Sequence, residues 1–481
     1  MQNLYDIIII GGGVVGTAVS RELSRYKLRT ALLEKEAELA FGVSKSNSGI
    51  IHPGTQNPPD SLKGRLCVQG NRLIRSLARE LGVHFVETGE LIVIFHEEEL
   101  PGLLKLKAEA EQLRVPRLKI VDKKWLGKNE PNLSPEAYAA LYAPTAGIIS
   151  PYRLTYDLAE NAVKNGVEVY TDCRVEQIIR LKDRSFEVHT SQEKFTGKYI
   201  INAAGLHADE ISAMAGISDL IIKARKGEEY ILDKKKEHLV NHILFPMPSP
   251  VSKGILIIKT SDGNPMIGPT AEETGDKTDL STSPEGLVRV LESVRKMVPT
   301  IREQDIIAYF AGLRPSAGKD FIIRHEKKVP GFINVAGIQS PGLTASPAIA
   351  LMVRDILASD GLELNKKKDF HKHRKATVHL FSLPFSRIKK VISRDPSYGD
   401  IVCRCEMVSS GEIREAVKRG ARTLDGIKFR TRAQAGRCHG GFCTTRILKI
   451  LKEELNLPVT KLTKRGAGSE VVVREKEQAD N

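Results

Sequence analysis

Four isoleucines, Ile7 to Ile10, run straight into Gly11-Gly12-Gly13-Val14-Val15-Gly16, and this junction restricts the fold more than any other stretch. A short β-branched run ended by glycines reads as a strand buried on both faces. Helical apolar spacing follows over residues 14–26 through Val15, Val19 and Leu23, and a second strand spans 29–33 and ends at Glu34. The result is a βαβ unit carrying G-x-G-x-x-G with an acid after its second strand. Each glycine has a separate task. Gly11 permits the tight turn, Gly13 lets the backbone approach a pyrophosphate, and Gly16 lets helix and strand pack closely. The unpaired N–H groups at the helix start face the phosphates, and Glu34 can accept the ribose hydroxyls. The motif does not separate NAD from FAD, and a glycine turn without a nucleotide is the competing reading.

The whole chain of 481 residues allows two to four domains. Surface-helix spacing covers 100–116, and strands are expected at 167–170, 175–181, 186–190 and 199–203. Residues 220–325 mix strands and turns around one helix near 284–297. Residues 365–400 carry Lys366-Lys367-Lys368 and then His371, Lys372, His373, Arg374 and Lys375 with no sustained apolar period, so they read as a basic linker or surface wrap. The expected division is 1–364, the linker 365–400, a cysteine-rich module over 401–460, and a polar, mobile tail over 461–481. No apolar run reaches the roughly 18 residues that span a bilayer, and no signal peptide is visible, so the expected location is the cytoplasm. The net charge of +14 fits an anionic substrate and an anionic partner or surface, or simply a lysine-rich exterior. Spread-out basic residues and 5% aromatics argue against nucleic acid.

Two of the six cysteines, Cys67 and Cys173, are scattered. The others form Cys403-Arg404-Cys405, a gap of 32 residues, and Cys438-His439-Gly440-Gly441-Phe442-Cys443. Four clustered thiolates can hold a [2Fe–2S] cluster, a [4Fe–4S] cluster or zinc. Ser409-x-x-Glu412 is a capping box for a helix that stops at Gly420, and Thr444–Leu455 is amphipathic. The cysteines therefore fall in loops at helix starts. Arg404, Arg430, Arg432, Arg437 and Arg446 surround them and would offset cluster charge.

Three further segments carry a family resemblance. They are Ser44-Lys45-Ser46-Asn47-Ser48-Gly49-Ile50-Ile51-His52-Pro53-Gly54, then Ile201-Asn202-Ala203-Ala204-Gly205, and Asn334-Val335-Ala336-Gly337-Ile338 followed by Pro341-Gly342-Leu343-Thr344. With the glycine turn, they resemble the D-amino-acid-oxidase-like flavoproteins over nearly all of residues 5–357. The stretches R-K-G-E-E-Y-I-L-D, S-K-G-I-L-I and A-G-L-R-P-S look most like glycerol-3-phosphate dehydrogenases, while other parts also look like L-2-hydroxyglutarate dehydrogenases. The cysteine module is similar to the bacterioferritin-associated-ferredoxin-like [2Fe–2S] domain appended to anaerobic-type glycerol-3-phosphate dehydrogenases. The resemblance implies an α/β plus α+β fold: a Rossmann-like FAD-binding domain interleaved with a mixed-sheet substrate domain, then a small, mostly helical [2Fe–2S] domain.

It also implies FAD contacts at Gly11, Gly13, Val15, Gly16, Glu34, Lys35, Ser46, Asn47, Ser48, Val175, Ala204, Gly205, Gly342, Leu343 and Thr344, and metal ligation by Cys403, Cys405, Cys438 and Cys443. Arg314 is the expected anion clamp, Lys253 a second cation, and His52 a base or flavin neighbour. Related dehydrogenases carry a histidine before Gly-Asn where this chain has Asp262, so either Asp262 takes that role or the substrate differs. The implied reaction is FAD-dependent oxidation of sn-glycerol 3-phosphate to dihydroxyacetone phosphate, with electrons leaving through the cluster to a redox partner subunit or carrier. The alternatives are an L-2-hydroxy acid dehydrogenase and an electron-transfer subunit of an amine or amino-acid dehydrogenase. Any membrane contact, at the inner membrane face, is expected through a partner or through basic surface charge.

Overall fold

The computed structural model describes residues 4–249 and 253–474. Residues 1–3 of the expected first domain, Ser252 of the Ser-Lys-Gly stretch and residues 475–481 of the expected tail lie outside them. The strand Leu4–Ile10 sits at the centre of an eight-stranded sheet. It runs parallel to Thr30–Leu33 on one side and to Lys194–Asn202 on the other, which in turn runs parallel to Phe332–Ala336. Ile7, Ile8 and Ile9 are fully buried, as a parallel strand covered on both faces requires. The helix Val14–Leu23 covers one face and packs with Pro151–Lys164 and Gly342–Ser359 in a shared apolar core. The expected helix over 14–26 ends at Leu23, and Tyr26 is buried in the turn beyond it.

A second, nine-stranded sheet is almost wholly antiparallel and carries the other large core. Its long pair, Lys223–Leu232 against Ile306–Ser316, matches Gly227 with Gly312 and Arg225 with Arg314. That register brings the middle of the pair to the glycine-rich edge of the first sheet: a Cβ on Gly312 would stand 2.6 Å from the Ser46 carbonyl oxygen. The chain passes between the two sheets several times, so the fold is an α/β flavoprotein architecture with interleaved parts.

The third unit is a small helical one with its own core. The hairpin Ile401–Cys403 and Val408–Ser409 leads into the helix Ser410–Lys418, whose Ser409–Glu412 capping box forms as the sequence predicts. Helices Leu424–Thr431 and Thr444–Leu455 complete it. Residues 365–400 differ from a bare linker. Arg374 is nearly buried against Asp157 and Glu160, and Phe385–Arg394 is a helix. The described part of the tail also has a fixed place, since Thr463 bridges to Glu470 and Lys464 pairs with Asp425.

Candidate active site and cysteine centre

A cavity of about 1370 Å³ runs from the glycine turn to the middle of the second sheet. At one end stand Gly11, Gly13, Val15, Glu34 and Lys35, with Ala204 and Gly205 beside them. The turn has no room for side chains: Gly11 has φ +112° with the Ala203 carbonyl against it, and a Cβ on Gly16 would strike the Gly11 carbonyl oxygen. Gly16 therefore acts through packing and does not line the cavity. Glu34 accepts the Gly12 N–H at 2.6 Å and the Glu36 N–H at 2.9 Å. Burial pushes its carboxyl up, and these two bonds oppose that shift.

Further along, Ser46, Asn47 and Ser48 line one wall, and Gly342 and Leu343, at the start of the helix Gly342–Ser359, line the other. The Gly342 N–H is taken by the Gln339 carbonyl at 2.6 Å, and the following N–H groups of this first turn lack an intrahelical partner at the cavity wall. Thr344 is turned away. Its hydroxyl donates to the Ile50 carbonyl and accepts the His52 N–H at 2.9 Å, so it ties this helix to the segment bearing His52. Val175 also lies away from the cavity, buried at the start of the strand Val175–Arg180.

The far end gathers His52, Lys253 and Arg314. The His52 ring is 12% exposed, with Nδ1 4.0 Å from the fully buried Glu90 and Nε2 3.3 Å from the Ser340 hydroxyl. Burial, and secondly Lys253, holds this imidazole well below its ordinary pKa. Burial lifts Glu90 to about 7, against the opposing pull of the Thr55 hydroxyl and Lys253. The Lys253 ammonium is buried with no hydrogen-bond partner among the described residues. Arg314 donates to the Thr270 carbonyl at 2.6 Å, and its charge pulls back on Glu229, which burial raises to about 7. Gln56 lines the same end with both amide atoms buried and unpartnered. Sequence reasoning missed Gln56, Glu90 and Glu229. Gln56 was within reach, four residues after His52, but the two carboxylates are contributed by distant strands.

The structure does not bring Asp262 to this cavity. Asp262 accepts from the Tyr152 hydroxyl at 2.6 Å and stands 3.6 Å from Arg432 and 3.8 Å from Arg153. Burial would raise its pKa, but Arg432, Arg153 and the Tyr152 bond outweigh burial and hold it at about 2. Arg432 belongs to the cysteine module and also approaches Glu406 and the Asn264 side chain. Asp262 is therefore a joint between the flavoprotein part and the small cysteine module.

Cys405 and Cys438 stand with their sulfurs 3.5 Å apart, and Cys403 and Cys443 form a second, deeper pair in side-chain contact. The N–H groups of Gly440, Phe442 and Gly441 point at the Cys438 sulfur. Among the described residues no three His, Cys, Asp or Glu side chains converge on one point. The two pairs lie within electrostatic reach of each other, Cys405 with Cys403 and Cys443 with Cys438, so all four thiolates can serve one metal centre. His439 turns to the Ile307 carbonyl at 2.7 Å and is a contact to the second sheet.

Residues 6–356 match the FAD dependent oxidoreductase family. The chain belongs to that family. Residues 401–453 match the BFD-like [2Fe-2S] binding domain. The flavoprotein is 42% identical over 472 residues to a glycerol 3-phosphate dehydrogenase of Caloramator mitchellensis, covering 98% of both chains. It is 33% identical to a glycerol 3-phosphate oxidase of Mycoplasma genitalium, covering 76% of this chain and 97% of that one. Among solved structures, the dithionite-reduced L-alpha-glycerophosphate oxidase of Mycoplasma pneumoniae with FAD bound superposes with a TM-score of 0.74 at 31% identity, covering 78% of this chain and 99% of that one. The cofactors of this oxidoreductase are FAD and a [2Fe–2S] cluster, and the cavity and the paired thiols fit them.

Proposed function

We propose that the protein oxidises sn-glycerol 3-phosphate to dihydroxyacetone phosphate and passes the electrons outward through its cluster to a redox partner. The observation that carries this reading is the pair of cations, Lys253 and Arg314, at the far end of the cavity that begins at the glycine turn. A buried ammonium without a partner is costly, and a bound phosphate would relieve it. Bound FAD supplies the acceptor for a hydride from the carbinol carbon, and the cluster supplies a one-electron path outward. His52 is held neutral by burial, so its Nε2 can take the hydroxyl proton as the carbonyl forms. Glu90 behind Nδ1 steadies the ring and its acquired charge. The full-length likeness to a glycerol 3-phosphate dehydrogenase supports the substrate. The oxidase relative has no counterpart to about a quarter of this chain, which supports an exit for electrons other than oxygen.

The test is an anaerobic titration of the reconstituted protein with sn-glycerol 3-phosphate, read at flavin and cluster wavelengths. The flavin should bleach and the cluster should follow. Bleaching by L-2-hydroxyglutarate but not by glycerol 3-phosphate would reject the assignment. Arg314→Ala should raise KM by roughly 100-fold, the cost of one lost charge-assisted contact to an anion.

A further inference from the structure

The helix Phe385–Arg394 and the turn before it expose aromatic side chains that the proposed reaction does not use. Phe381 is 50% exposed and Phe385 is 82% exposed. At about 100° per residue, Phe385, Ile388, Val391 and Ile392 share one face of the helix, flanked by Arg387 on one edge and Lys389 on the other. The carboxyl end of that face is covered, since a Cβ on Gly399 would stand 3.2 Å from the Ile392 side chain. The amino end, with Phe381 and Phe385, is open. No Asp or Glu occurs between Asp369 and Asp395. Arg387, Lys389, Lys390 and Arg394 are all exposed, and none has a carboxylate partner among the described residues.

We propose that this end of the helix is a wedge for an anionic membrane surface. Phe381 and Phe385 enter the boundary between head groups and acyl chains, and Arg387 and Lys389, at the two edges of the apolar face, meet the negative head groups. An apolar face flanked on both edges by unpaired cations matches a lipid interface, where each part finds its own medium. A protein partner would instead need a broader apolar core than two rings provide. No helix among the described residues is long and apolar enough to cross a membrane, so the wedge would lie in the surface.

The experiment is co-sedimentation of the full-length holoprotein with vesicles, either phosphatidylcholine alone or phosphatidylcholine mixed with phosphatidylglycerol. Binding to the anionic vesicles should exceed binding to the neutral ones and weaken in roughly 0.5 M salt. The double variant Phe381→Ser/Phe385→Ser should lose about tenfold or more in vesicle affinity, as should Arg387→Glu/Lys389→Glu. Both variants should keep the flavin spectrum and the rate with a soluble dye acceptor, which shows that they fold. The proposal is overturned if the wild-type chain ignores anionic vesicles, or if the phenylalanine variant binds them as well as the wild type. It is equally overturned if this patch instead captures an acidic redox protein while vesicles remain unbound.

Discussion

A single side chain in this protein often answers to a residue far away in sequence. Asp262 illustrates the point. Its neighbours in sequence belong to a turn between strands, yet its charge is fixed by Arg432, 170 positions later. Replacing it by Asn would leave a buried guanidinium without its main counter-charge. We expect Asp262→Asn to lose about 3 kcal/mol of stability at pH 7, measured by chemical denaturation. The sign with pH follows from the lowered pKa. The ordinary carboxyl value is 3.8 and the folded value about 2, so the stabilisation is complete above about 4 and fades as pH falls through 2. The difference between variant and wild type should therefore shrink in acid. A constant difference down to pH 2 would mean that the ion pair contributes nothing. Glu38 is a similar case: it is buried in the first domain, accepts the N–H groups of Arg422 and Thr423 at 2.7 and 3.1 Å, and so ties down the residues that begin a helix of the cysteine module.

Among the elements, close helix packing sets the position of the cavity wall. The helix Leu62–Leu81 crosses Gly342–Ser359 at Gly70, where any Cβ would strike the Thr344 carbonyl oxygen. Thr344 in turn holds the backbone of His52. Gly70→Ala should push the two helices apart, cost roughly 2–3 kcal/mol, and loosen FAD. Melting temperature and flavin retention on gel filtration would show this. An unchanged melting temperature would mean that the crossing adjusts freely. Two helices were read with their bounds, whereas those expected over 14–26 and 100–116 end earlier, at Leu23 and Gln112. Pro284–Met297 and Thr444–Leu455 appear with the expected bounds, because proline, capping residues and apolar spacing act locally. The helix Phe385–Arg394 went unread: its apolar face is four residues long in total and sits in a basic stretch that masks the period.

For the whole molecule, the decisive feature is how the cysteine module seats on the flavin domain. Arg432, Arg437 and His439 reach the second sheet, Glu38 and Phe41 meet the helix Leu424–Thr431, and Arg465, Gly466 and Ala467 line the dinucleotide end of the main cavity. The module is thus docked against the flavin domain. Cys405→Ser should remove the cluster spectrum and the rate with a physiological-type one-electron acceptor, while glycerol 3-phosphate still bleaches the flavin. Loss of flavin bleaching as well would show that the two halves do not act as separate stages. The glycine turn with Glu34 and the clustered cysteines were legible in the linear chain, because a phosphate cradle and a thiolate set demand particular residue types in short motifs, whereas the three further flavin segments were read only through family resemblance. Tertiary structure alone decided that Asp262 joins domains and stays away from the cavity, that Glu90 and Glu229 stand behind the cations, and that the tail walls the cavity. Those facts depend on contacts between segments far apart in the chain, and such contacts arise only when two sheets and a helical module bury their apolar faces together.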